Sequence, residues 1–61
     1  MFNIKLWKNY LKKIEIYDLS KGKTIYTGWA IDVPTEMAIL EVCSYGVENG
    51  VLVFNITSED Y

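Results

Sequence analysis

Apolar and polar positions alternate along IEIYDL, residues 14–19: Ile14 and Ile16 point one way, Glu15 and Tyr17 the other. A period of two predicts a half-buried strand. Ser20-Lys21-Gly22-Lys23 then reads as a turn, because Gly22 takes positive φ at little cost. The alternation resumes over TIYTGWAIDV, residues 24–33, with Ile25, Thr27, Trp29, Ile31 and Val33 on one face. The two segments form a predicted hairpin. Gly28 inside the second segment marks a bulge, a bend or the close approach of another backbone.

Pro34 has no N–H to give a ladder and ends that strand. PTEMAIL, residues 34–40, suits one or two helical turns, with Pro34 in the first turn and Asp32 as a cap. Alternation returns over EVCSYGVE, residues 41–48. Asn49-Gly50 follows, a pair that tolerates the positive φ of a type I′ turn, so VLVFNI, residues 51–56, is the return strand of a second hairpin. TSEDY is a polar, acidic tail.

The first segment supports two periods. At helical spacing Ile4, Trp7, Tyr10, Leu11 and Ile14 fall in one arc, with Lys5, Lys8 and Lys12 beside it, which predicts an amphipathic helix over residues 4–12. At period two Phe2, Ile4 and Leu6 alternate with Asn3 and Lys5, which would make a short strand. The expected fold is therefore α+β and mostly β. It is a four-stranded antiparallel sheet of two hairpins joined by a short helical turn, preceded by the amphipathic helix. The alternative is a small open all-β barrel.

Length sharpens this picture. Sixty-one residues make a single domain, residues 1–61. A domain of this size buries only about 60% of its unfolded surface and usually needs a disulfide, a metal or a partner. Cys43 is the only cysteine and there is no histidine. An intrachain disulfide is thus excluded, no zinc ligand set is present, and no cofactor is expected. Yet 51% of the residues are apolar and nine are aromatic. One sheet face can pack on the helical segments. The other is expected to carry some of Tyr17, Tyr26, Leu52, Phe54 and Ile56. A symmetric homodimer would cover it, with Tyr17, Tyr26 and Phe54 as the interface or partner surface.

Charge is uneven. Lys5, Lys8, Lys12 and Lys13 put +4 in the first thirteen residues, whereas the remainder has two lysines against eight acids, or −6. Lys5, Lys8 and Lys12 are the candidate contacts to an anionic partner, and a nucleic-acid accessory role would use them beside Trp7 and Tyr10. The acidic body and the absence of arginine weigh against nucleic acid. No apolar stretch reaches the roughly 20 residues of a membrane span. The longest apolar run near the N-terminus is two residues, unlike a signal peptide. A cytoplasmic protein with a reduced thiol is expected.

Catalytic chemistry finds little footing. Cys43 has no histidine to activate it and suits a small core position. Asp18, Asp32, Glu36 and Glu41 could pair as acid and base, but acids beside turns are commonly solvated or capping. Gly22-Lys23-Thr24 has the tail of a phosphate-binding loop without its upstream glycine or its helix.

Taken together, Tyr17-Asp18, Gly28 through Pro34 and Glu48-Asn49-Gly50 resemble a pattern found in short β-rich proteins of bacteriophages and mobile elements. The resemblance spans residues 14–56. It carries no established activity; with the apolar surface and the lack of catalytic groups, the expected function is a small non-enzymatic phage-type protein, homo-oligomeric, that binds a host protein in the host cytoplasm and modulates it. The alternative is a small nucleotide-like ligand bound between subunits.

Overall fold

The computed structural model describes residues 3–7 and 9–58. Its sheet has four strands: β1 (Lys13–Asp18), β2 (Lys23–Trp29), β3 (Val42–Glu48) and β4 (Val51–Ile56), in the spatial order β2-β1-β4-β3. The two hairpins are the predicted ones, and the sheet does not close into a barrel. Asn49 and Gly50 have φ of 53° and 78°, the two positive values of a type I′ turn. Gly22 at φ 65° closes the first hairpin, where its N–H and that of Lys21 donate to the Asp18 carbonyl.

The hairpins are antiparallel inside, but they join in parallel through β1 and β4, so the sheet is mixed. The connection explains this. Trp29 ends β2 beside Lys13, at one end of the sheet, and Val42 begins β3 beside Ile56, at the other. Residues 30–41 must travel back along the sheet, which sets β2 and β3 in the same direction and the inner strands likewise. That return path carries Ala30, Val33 and Ala38 into the core. It contains a 3₁₀ turn (Ala30–Asp32) and the short helix α1 (Thr35–Ala38). The strand predicted to run to Val33 therefore stops at Trp29, where the Ala30 N–H donates to the Lys12 carbonyl. Pro34, not Asp32, occupies the N-cap of α1, and no side chain caps it. The Pro34 carbonyl accepts from the N–H groups of Met37 and Ala38 at 3.0 and 2.9 Å.

The predicted helix over residues 4–12 is replaced by one 3₁₀ turn, Ile4–Trp7. Lys12 is already drawn into the sheet, its carbonyl accepting from the Ala30 N–H. What is left is too short for an α-helix to persist by itself. Ile4, Trp7 and Tyr10 nonetheless reach the core, and Leu11 points out. Trp7 lies 5.4 Å from the Phe54 ring and meets Tyr10 edge-on at the same distance.

The core sits between these helical pieces and one sheet face. Ile14, Ile16 and Asp18 of β1 stand level with Leu52, Phe54 and Ile56 of β4. All six are buried. Strict alternation thus puts Leu52, Phe54 and Ile56 together under the cover, not on the second face as expected. Tyr26 shares the core face, level with Ile16. The outer face carries Glu15, Tyr17, Val51, Val53 and Asn55 along its centre, and its polar neighbours include Thr27 and Ser44. Only Val53 there is nearly fully buried, at 9% exposure. The second face therefore mixes Tyr17, Trp29, Val51 and Val53 with Lys13, Glu15, Asn55, Thr27 and Ser44, and is less apolar than expected.

Gly28 owes its place to Tyr26. Its φ is +148°, and a Cβ built there would lie 3.1 Å from Tyr26 Oη. The tyrosine lies across this gap and donates to the Trp29 carbonyl at 2.8 Å. The ladder's irregularity falls earlier, at Ile25, since Tyr26 faces Ile16 and Thr24 faces Tyr17. Gly28→Ala is expected to cost about 1–3 kcal/mol from the strained backbone alone. The check is the urea midpoint: a variant as stable as the wild type would show that the loop relaxes freely.

Candidate functional site

The structure distributes the anticipated contact residues instead of gathering them. Phe54 is 0% exposed and belongs to the chain's own core, so it offers a partner no surface. Tyr17 stands on the outer face and Tyr26 on the core face, both half-buried, on neighbouring strands. Lys5 and Lys12 are exposed, and Lys8 lies outside the described residues. The intended lysine stripe needed one continuous helix, and the 3₁₀ turn ends at Trp7. Lys13, not counted among those contacts, places its ammonium 5.7 Å from the Trp29 ring, a cation–π contact on the outer face.

Asp18 is the polar group the core is built around. It continues the Ile14, Ile16 alternation onto the core face and is 0% exposed. Its carboxylate accepts from the Ser20 N–H at 2.9 Å, the Ser20 hydroxyl at 2.5 Å, the Ser58 N–H at 3.4 Å and the Ser58 hydroxyl. Leu19 N–H donates to the Ile56 carbonyl at 2.7 Å beside it. The first hairpin turn is thereby tied to the exit of β4. Burial pushes the Asp18 pKa up, but the Ser20 and Ser58 hydroxyls and N–H groups outweigh it and hold the group well below the usual carboxylate range. Asp18-x-Ser20 after two alternating isoleucines was the readable signal for this clasp. All four of these bonds come from within the chain, which suits a structural role. Burial, then the charge of Asp32, raises the Tyr26 phenol above its ordinary 10.0.

A shallow groove of about 280 Å³ opens between Lys13, Glu15, Thr27 and Val51, floored by Ile14 and Gly28. It sits at the lower limit of ligand-site volumes, and its one lysine and one glutamate offer no net charge to select a nucleotide-like anion. Among the described residues no group of three or more carboxylates and thiols gathers to hold a metal, and no helix is long and apolar enough to cross a membrane.

Large apolar side chains are exposed at Leu6, Leu11, Ile31 and Ile39, and two more stand together on β3. From Ser44 to Glu48 every residue is exposed. Tyr45 and Val47 stand level with Phe54 and Leu52, on the core face, yet are 59% and 70% exposed. Among the described residues the covering segments bury the core face of β1 and β4, and Val42, but leave Ser44–Glu48 exposed. The opposite edge, β2, is interrupted at Ile25 and twisted by Gly28, devices that discourage strand pairing. Compared with known proteins, the chain matches no protein family, no curated protein and no solved structure.

Proposed function

We propose that this chain is a non-enzymatic interaction protein, homo-oligomeric, that engages other proteins through the open edge of β3. The observation that supports this reading is the exposure of Ser44–Glu48, with Tyr45 and Val47 more than half exposed on a face that is core elsewhere. A regular edge strand presents main-chain donors and acceptors for β-augmentation, and alternate side chains supply selectivity. The resemblance of residues 14–56 to phage and mobile-element proteins points to a host cytoplasmic protein as the target, with modulation of that target as the outcome.

The test compares wild type with Val47→Lys in capture from bacterial lysate, followed by binding of the captured protein in purified form. A stoichiometric partner that purified wild type binds and Val47→Lys does not is the expected result. A partner bound equally by both would remove the β3 edge from the reading. Val47 is exposed, so the lysine should cost the fold no more than about 0.5 kcal/mol.

A further inference from the structure

We infer that the β3 edge pairs with the β3 edge of a second copy, antiparallel about a two-fold axis through Gly46, to give one continuous eight-stranded sheet. The inference rests on the interaction reading above; the second copy and a host strand compete for this one edge, so host capture requires the dimer to open.

The register follows from the strand itself. The ladder between β3 and β4 is irregular between Val42 and Ser44, so the regular edge is Ser44 to Glu48. Its midpoint is Gly46. Full antiparallel overlap of this segment with its own copy sets Gly46 opposite Gly46, Tyr45 opposite Val47, and Ser44 opposite Glu48. Each pairing is favourable or neutral. Tyr45 and Val47 share the core face. Their exchange makes two aromatic–β-branched pairs, among the better cross-strand combinations. The row Phe54, Tyr45, then Val47 and Leu52 of the second copy would continue the core across the axis. On the outer face each Glu48 meets a serine hydroxyl, so no like charges oppose one another. The glycine on the axis adds no side chain where two copies come closest, and around its own Cβ position there is open space.

The same features limit assembly to two copies. An antiparallel self-pairing uses the same edge on both partners and closes. The β2 edge, broken at Ile25 and carrying Gly28 at φ +148°, lacks a matching regular run. The paired segment would span about 17 Å at 3.4 Å per residue.

Light scattering and register-specific disulfide trapping test this together. Wild type should run at twice 7.1 kDa. In a Cys43→Ser background, Gly46→Cys should form a covalent dimer with oxidised glutathione, since directly opposed residues lie within disulfide reach. Ser44→Cys and Glu48→Cys should each stay monomeric on a non-reducing gel, yet link when mixed. Gly46→Glu, which sets two charges face to face, should raise the dissociation constant about tenfold or more and leave the circular dichroism spectrum unchanged. Equal trapping at all three positions, or none at Gly46→Cys, overturns the register even if the wild type is dimeric, and the broader reading survives. A wild type that stays at 7.1 kDa at hundreds of micromolar overturns the pairing and the homo-oligomeric part of that reading.

Discussion

Phe54→Ala is expected to unfold most of the chain at 25 °C. Phe54 has no exposed surface, stands level with Ile16 and Tyr45 on its two neighbouring strands, and meets the Trp7 ring at 5.4 Å. Removing a fully buried phenylalanine ring costs about 3–5 kcal/mol. A domain of this length, at about 0.05–0.15 kcal/mol per residue, has roughly 3–9 kcal/mol in total. The loss is therefore comparable with everything the fold has. The N-terminal segment should detach first in effect, because Trp7 is anchored on the missing ring. Far-ultraviolet circular dichroism reads the sheet, and a red shift of tryptophan emission reads the release of Trp7. Val47→Ala is the matched control: also apolar, also on β3–β4, but 70% exposed in the single chain, and expected to shift the stability of the separated subunit by less than about 0.5 kcal/mol. A folded Phe54→Ala with unshifted emission would mean that the core closes over the gap.

That contrast between Phe54 and Val47 shows where the sequence was readable and where it was not. The turns were legible because their chemistry is local. Asn49-Gly50 and Gly22 take the positive φ that the composition foretells. The two hairpins followed. The relation between hairpins was not legible, since it is decided by how far residues 30–41 must travel before β3 can start. Once that path runs over one face, Leu52, Phe54 and Ile56 are all beneath it, and the face that seemed in need of a partner turns out less apolar than expected. Periodicity over residues 4–12 correctly picked Ile4, Trp7 and Tyr10 as core residues. It missed that so short a segment does not hold an α-helix by itself, and only the turn Ile4–Trp7 forms. The exposed run Ser44–Glu48 has the same alternation as any half-buried strand. Its position at an edge, which only the strand order reveals, makes it the candidate interface.

Acid is expected to loosen the fold through Asp18. The carboxylate is buried at the point where the first hairpin turn, through Ser20, meets the exit of β4, through Ser58. Its folded pKa lies below the ordinary 3.8, so the folded state binds this proton less readily than the unfolded chain does. The stability it contributes is thus fully present above about pH 5 and declines as pH falls through 4. Urea midpoints measured from pH 7 to pH 3 should be level for this group at first and then drop. Asp18→Asn keeps the shape and an acceptor oxygen but cannot take up the proton. Its midpoint should be lower at pH 7 and should fall less steeply below pH 4, by the one proton that Asp18 binds. Asp18→Leu goes further. It leaves the Ser20 and Ser58 N–H groups without their acceptor, and its melting temperature should drop by roughly 10 °C. Parallel pH profiles for wild type and Asp18→Asn would show that the acid sensitivity lies elsewhere. A level profile for both would show that the clasp opens to solvent without cost.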